Sequence, residues 1–428
     1  MAALALGACG DDDGGGGTDS GPGTDSAVET DSATGDDDVI AVAEAAGNFT
    51  TLLGAMERVG LTETVRAATA LTVFAPTDEA FEALGVDLST LTDEQLTGIL
   101  AYHAIGATVR SDAIPATADT LADLTLIFDT SDGVRVNDAT VTMADVEASN
   151  GVIHVIDRVL MPPDIVAAAG FAGLTDLAGA LDTAGLVETL QGAGPFTVFA
   201  PTNEAFGELE ELPTGDALSQ VLTYHVLGSA VLSGAVPGTA NSLATNEWDN
   251  NLTLFFNTDD GVVINGRINV VTADVRTTNG IVHIVDGVIT PLNVAGAAGS
   301  AGLTELLGAV GAAGPNPDDT TIVDTLTGDG PLTVFAPTNA AFEEISDTVD
   351  GLSPEQIRQV LLYHVITGDA PVLSTDLADG DVATANGQNV TIAVAGPTVN
   401  DNAIGPADLH VTNGVVHVVD GVLVPEFP

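Results

Sequence analysis

The phrase Thr-Val-Phe-Ala-Pro-Thr starts at Thr72, at Thr197 and at Thr333, so one pattern recurs after 125 and then after 136 residues. Each occurrence is followed by a Tyr-His pair (Tyr102-His103, Tyr224-His225, Tyr363-His364) and later by an Asn-Gly pair opening an apolar run (150–157, 279–286, 413–420). The order never varies. Such a spacing is the size of an ordinary domain with its own core and is far longer than the unit of a stacked solenoid. Three bead-like modules are therefore expected, at residues 39–162, 163–291 and 292–428.

Inside each copy the apolar period changes. Ala-rich amphipathic stretches come first (39–46, 165–171, 294–301), followed by a second helix whose Leu52, Leu53 and Met56, or Leu174, Leu177 and Leu181, recur at three and four. The repeated phrase reads as a strand ended by proline, which cannot donate to a ladder. Thr77, Thr202 and Thr338 read as helix N-caps, with Asp78, Glu79 and Glu204 in first turns where the helix dipole favours acids. Thr92 with Gln95, and Ser353 with Gln356, have capping-box spacing and launch the helix that runs into Tyr-His.

The remainder of each copy reads as β. Asp132-Gly133 and Asp260-Gly261 sit between alternating runs, a hairpin signal. The runs after Asn-Gly are apolar on both faces, as a covered strand requires. Helices first and strands last predict an α+β class. The third copy departs from the others by inserting 315–320 before its phrase strand and by carrying Gly396-Pro397 in place of Asp-Gly.

Charge excludes whole classes of partner. The chain has 61 acidic residues against 8 basic ones, none of them lysine, for a net charge of −53. Nucleic-acid binding needs clustered cations to displace counterions from phosphates, and none are available. The same field repels anionic membrane surfaces at low salt. Either solubility or adaptation to a salty habitat accounts for such a surface.

Cys9 is the single cysteine and excludes an intramolecular disulfide framework. Its setting, Leu6-Gly7-Ala8-Cys9, resembles a bacterial lipobox, in which the cysteine is lipidated on sulfur and becomes the new N-terminus. The basic n-region and the full apolar stretch of such a signal are missing, so either the start is truncated or the resemblance is accidental, and residues 1–9 are read as a truncated lipoprotein signal. Residues 10–38 hold mostly Gly, Asp, Thr and Ser and are expected to be a flexible acidic linker, because they have too little apolar surface to offset ordering entropy.

Three ordered motifs per copy carry a family resemblance. The set Thr-Val-Phe-Ala-Pro-Thr-(Asp/Asn)-x-Ala-Phe, Tyr-His and Asn-Gly-(Val/Ile)-(Val/Ile)-His resembles the fasciclin (FAS1) domain over nearly all of residues 39–428. The resemblance implies three tandem modules, each a β-sandwich-like core wrapped by helices. It also implies a family found mainly in secreted or surface-anchored adhesion and matrix proteins, at the cell envelope. Expected partners are then extracellular matrix, polysaccharide or cell-surface proteins, with the membrane reached only through a lipid anchor.

In animal members of the family, regions around Tyr-His and an acidic-apolar pair before Asn-Gly are linked to integrin recognition. The pairs here are Asp145-Val146, Asp274-Val275 and Asp408-Leu409. Prokaryotes lack integrins, so that partner does not transfer with a lipobox. With Tyr102, His103, Tyr224, His225, Tyr363 and His364, the pairs form the candidate contact surface; the competing reading of the aspartate is a turn-positioning residue.

Six of the seven histidines belong to the repeats, and two per module could in principle bind a metal or move a proton. No close His-x-His or His-x-x-x-His spacing supports a metal site, and the alternative is that each imidazole fixes a helix end or a strand. Without lysine there is no Schiff base and no phosphate loop of the Gly-Lys-Thr type. Trp248 is the lone indole, either a sugar-stacking platform or a loop anchor. The expectation is a non-enzymatic adhesion protein with no cofactor, no metal and no catalytic residue. The alternative is a cell-envelope binding protein for a glycan or small molecule.

Overall fold

The computed structural model describes residues 37–314, 321–349 and 351–427. Cys9, the lipobox and nearly all of the acidic linker lie outside the described residues. The α+β class holds, and the same wiring appears three times.

Each module opens with short helices: Val39–Ala46, Thr50–Arg58 and Thr62–Ala67 in the first, Ile165–Phe171, Thr175–Thr183 and Val187–Leu190 in the second, Val294–Ser300, Thr304–Ala312 and Ile322–Thr327 in the third. The phrase strand follows (Leu71–Pro76, Phe196–Pro201, Leu332–Pro337) and stops at proline. The three threonines after it do cap the next helix, accepting from the N–H groups of Ala80, Ala205 and Ala341 at 3.2 to 3.3 Å. Thr92 and Ser353 form complete capping boxes with Gln95 and Gln356.

The phrase strand pairs antiparallel with the short strand after Tyr-His and parallel with the last strand of its module (Gly151–Ile156, Gly280–Val285, Gly414–Val419). Parallel register is the same throughout, placing Phe74 opposite His154, Phe199 opposite His283 and Phe335 opposite His417. Their rings lie 5.4, 5.5 and 5.6 Å apart. The glycine of each Asn-Gly pair is dictated by this close pairing. A Cβ on Gly151, Gly280 or Gly414 would sit 2.1, 2.2 or 2.0 Å from the carbonyl oxygen of Leu71, Phe196 or Leu332.

Each module therefore has two cores, one on either face of the phrase and closing strands. Helices bury Leu52, Leu71 and Leu96 on one side; hairpins bury Phe74, Tyr102 and Leu126 on the other. The first module's strands form one seven-stranded sheet, and in the second the ring closes where Ser242 pairs with Leu227. In the third it splits into two four-stranded sheets. The long bulged strand Ala139–Ala148, or Ile268–Thr277, is there reduced to Asn402–Ala403 and Leu409–Val411 around Gly405-Pro406, where proline has no N–H for the ladder. Gly396-Pro397 nonetheless turns a hairpin, since Ile392 pairs with Val399.

The modules are not independent beads. Ile127 of the first module belongs to the helix-side core of the second, and Phe255 of the second belongs to that of the third. Each is a large apolar side chain that the next module removes from water.

Candidate contact surface

Tyr-His ends a helix in every module: Asp93–Tyr102, Asp216–Tyr224 and Pro354–Tyr363, with the histidine as C-cap. The tyrosine points into the hairpin side. Its hydroxyl donates to the carbonyl of Thr125 (3.0 Å), Thr253 (2.7 Å) or Asn389 (2.7 Å) and accepts from the side-chain amide of Asn137, Asn265 or Asn400. Burial pushes the phenols of Tyr102 and Tyr224 well above their ordinary range. Each asparagine is left-handed (φ 51, 49 and 45°), and its side-chain oxygen also accepts the N–H of Ile127, Phe255 or Thr391.

The histidine points the other way. Nδ1 lies 2.8 Å from the carbonyl of Ile99, Val221 or Val360, while Nε2 lies 2.9 Å from the N–H of Leu160, Ile289 or Leu423. A carbonyl only accepts and an N–H only donates, so the proton sits on Nδ1. Burial lowers His103, His225 and His364 to about 4, opposed only by the bond to the carbonyl. These rings are neutral at pH 7 and tie the helix end to the segment leaving the module.

The closing-strand histidines take the opposite tautomer. Nε2 of His154, His283 and His417 donates to the carbonyl of Val109, Val231 or Val372 at 2.9 Å, and Nδ1 accepts the N–H of Asp145, Asp274 or Asp408. Desolvation lowers His283 and His417. All twelve ring nitrogens of the six repeated histidines are thus occupied by the backbone. Among the described residues no group of three or more His, Cys, Asp or Glu side chains is placed to hold a metal ion.

The Tyr-His residues of the candidate surface are accordingly corrected: Tyr102, His103, Tyr224, His225, Tyr363 and His364 are all buried, because their polar atoms are consumed inside the module. They cannot touch a partner in this conformation.

The acidic-apolar pairs lie in a different place. Asp145 and Asp274 sit in bulges of their strands and Asp408 just before its strand, all three with left-handed backbone (φ 57°, 61° and 56°). Its carboxylate accepts the N–H and the hydroxyl of Ser111, Ser233 or Ser374. Those bonds hold the Asp145 carboxyl below its ordinary range. The aspartate is therefore turn-positioning, the reading weighed against contact.

The apolar partner and the residue after it reach the module boundary. The N–H of Arg276 donates to Thr125 Oγ1 (3.0 Å), and at the next boundary the N–H of His410 donates to Thr253 Oγ1 (3.0 Å). Arg276 also pairs with Asp119 at 2.9 Å, and Asn246 Nδ2 donates to the Val411 carbonyl at 3.1 Å. Val275 and Leu409, 1% and 6% exposed, are buried at these junctions, whereas Val146 meets no preceding module among the described residues and is half-buried. In modules two and three the acidic-apolar segment faces the preceding module. Only in the first module is it open, beside Glu147, which pairs with Arg110 at 2.9 Å.

Two functional features escaped sequence reasoning. The hydroxyl acceptors Thr125 and Thr253 and the apolar plugs Ile127 and Phe255 were hidden among ordinary hairpin residues. Their equivalents in the third module, Asn389 and Thr391, are exposed. The asparagine of Asn-Gly does more than turn: Asn150, Asn279 and Asn413 accept from the first N–H of the opening helix (Val39, Ile165, Val294) and donate to carbonyls at the end of the third helix.

The family model described as "Fasciclin domain" matches residues 47–162, 172–291 and 317–425. The chain belongs to the fasciclin domain family. Human periostin is 27% identical over 85% of this chain and 45% of its own length. Protein sll1483 of Synechocystis sp. is 44% identical over 30% of this chain and 76% of its own length. Cell surface glycolipoprotein MPB83 of Mycobacterium bovis is 39% identical over 26% of this chain and 50% of its own length. The chain spans about half the length of periostin and 58% of the pig transforming growth factor-beta-induced protein ig-h3. A solved FAS1 domain pair from the insect cell adhesion molecule Fasciclin I aligns with 57% of this chain and 97% of its own at 20% identity, with a TM-score of 0.39. No helix among the described residues is long and apolar enough to cross a membrane.

Proposed function

We propose that this fasciclin protein is a surface-anchored adhesion or matrix-contact protein that works without catalysis, by holding three modules in one directional array. The observation that carries the reading is the repeated junction. One surface of the module is used twice to dock a neighbour and is left open once, at Val146 and Glu147 of the first module. A surface already suited to protein contact is thereby presented outward. The partners are matrix components, polysaccharide or cell-surface proteins, since the charge of −53 disfavours nucleic acid.

Occupied histidine nitrogens support the non-catalytic part, because a general base needs a free lone pair. Likeness to a cell surface glycolipoprotein supports lipid attachment at Cys9. Linking weak sites on one chain, here the exposed edge at Glu147 of the first module and the exposed Asn389 and Thr391 face of the third, raises avidity by about 10² to 10⁴ without new contacts. Attachment of the full chain to native matrix is expected to exceed that of the first module alone by about 10²-fold or more, and Glu147→Ala in the full chain is expected to weaken it. Equal attachment by one and three modules would contradict the reading. Metabolic labelling with a fatty-acid analogue is expected to mark the wild type and spare Cys9→Ser. A second reading, a binding protein for a glycan or small molecule, is favoured in its small-molecule form by an aliphatic cavity under the opening helices of the first module.

A further inference from the structure

Between the opening helices and the helix-side face of the first module's sheet lies a cavity of ≈ 310 Å³. Its walls are aliphatic, including Val39, Leu52, Met56 and Ile153, and its polar lining is confined to Thr64, Thr97 and His103. Both nitrogens of His103 are already bonded to Ile99 and Leu160, so the imidazole presents no free donor or acceptor. At about 30 Å³ per water, the space equals that of roughly ten waters, each of which needs two to four polar partners that these walls do not supply. The cavity is suited to hydrocarbon, and its volume falls at the lower end of small-molecule pockets, about 300 to 1,000 Å³.

The third module has a cavity of ≈ 290 Å³ at the corresponding place, lined by Val294, Leu306, His364 and Val416 where the first has Val39, Leu52, His103 and Ile153. Its recurrence in two divergent copies marks it as a property of how the opening helices sit on the sheet. The rim of the first cavity carries Leu121, which is 55% exposed on a loop between strands. An aliphatic side chain held out at a cavity mouth extends the apolar path to solvent.

Charge selects among apolar ligands. The helices bordering the mouth carry Glu63 and Glu94, and the arginines on the second and third helices are committed to acids: Arg58 to Asp93 at 2.8 Å and Arg66 to Glu44 at 3.2 Å. No cation there is spare for a carboxylate or phosphate headgroup, and the chain's net charge repels one. We infer that the first module binds an uncharged aliphatic molecule in this cavity, by burial rather than by hydrogen bonding. The site is separate from the adhesive surface and goes beyond the adhesive reading.

Displacement of the reporter dye N-phenyl-1-naphthylamine from the full chain tests this. Dodecan-1-ol is expected to displace the dye saturably, and dodecanoate at pH 8, with the same chain and a charged head, at least 10-fold less effectively. Ala101→Phe, at a half-buried lining position on the Tyr-His helix, is expected to remove one binding equivalent per chain; Thr64→Phe, at an exposed lining position, does the same should Ala101→Phe lower the urea midpoint. Glu147→Ala, at the exposed position of the adhesive surface, is expected to leave the titration unchanged, which separates this site from attachment. Absence of saturable displacement by dodecan-1-ol, or full binding retained by both phenylalanine variants, overturns the assignment. Equal displacement by alcohol and carboxylate overturns the selection for uncharged ligands.

Discussion

The strands Thr125–Asp129, Asn251–Asn257 and Asn389–Ala393 hold the same place in their modules, yet the first two are covered by the next module and the third is open. Thr125 and Ile127, or Thr253 and Phe255, supply a hydroxyl acceptor and an apolar plug; Asn389 and Thr391 supply two exposed polar side chains. On the opposite side the order is reversed, with Val146 half-buried and Glu147 exposed while Val275 and Leu409 are buried. The array of three modules therefore has a direction, and its first and third modules present unlike faces. What is identical in all copies builds the module; what differs between copies tells each module whether it has a neighbour.

The sharpest way to break this contrast is to truncate the plug. Phe255→Ala is expected to destabilise the second and third modules by about 3 to 5 kcal/mol, the usual cost of emptying a buried phenylalanine site, whereas Thr391→Ala should change stability by no more than about 0.5 kcal/mol. Urea unfolding of the full chain measures both. Equal effects would mean that the two strands are equivalent after all.

Acid attacks the shared interior instead. His103, His225 and His364 titrate at about 4 when folded and near 6.5 when unfolded, so the unfolded chain binds more protons between those values. Their contribution is complete above pH 6.5 and is lost as pH falls toward 4, by roughly 3 kcal/mol per histidine at about 1.4 kcal/mol per unit. The urea midpoint is expected to fall over that window, and His225→Gln to make the slope shallower. A midpoint independent of pH from 6.5 to 4 in the wild type would contradict the buried neutral imidazoles.

Removing a tyrosine hydroxyl has a smaller and uniform effect. Tyr102→Phe, Tyr224→Phe and Tyr363→Phe each strand an asparagine amide and a carbonyl, at about 1 to 3 kcal/mol. Similar losses in all three modules would sharpen the division between a common interior and specialised faces. The smallest effect belongs to the junction ion pair. Arg276 and Asp119 are 34% and 56% exposed at the side chain, so Arg276→Gln should cost about 0.2 to 1 kcal/mol, and less at high salt.

Much of the module was legible in the sequence. The phrase strand, the threonine caps, the capping boxes at Thr92 and Ser353 and the glycine of Asn-Gly each follow from local backbone chemistry, which acts over a few residues and leaves a fixed signature. The tyrosine's partners were not legible, because Asn137, Asn265 and Asn400 meet it across some 35 to 41 residues of chain. Their one signal was an asparagine recurring where the second hairpin strand ends. The burial of Tyr-His was likewise missed, since repetition alone does not tell an interior network from a contact surface. The junction was hidden for the opposite reason: Ile127, Phe255 and Thr391 differ, and a reading built on what repeats passes over them.

Amide hydrogen exchange tests the directional array most directly. The N–H groups of Arg276 and His410 donate to Thr125 and Thr253 of the preceding module, and Glu147 holds the same position facing no other module among the described residues. In the full chain Arg276 and His410 are predicted to be protected and Glu147 to exchange rapidly, with Ile127→Asp releasing Arg276 and Phe255→Asp releasing His410. Equal protection at all three amides, unaltered by either substitution, would contradict the account.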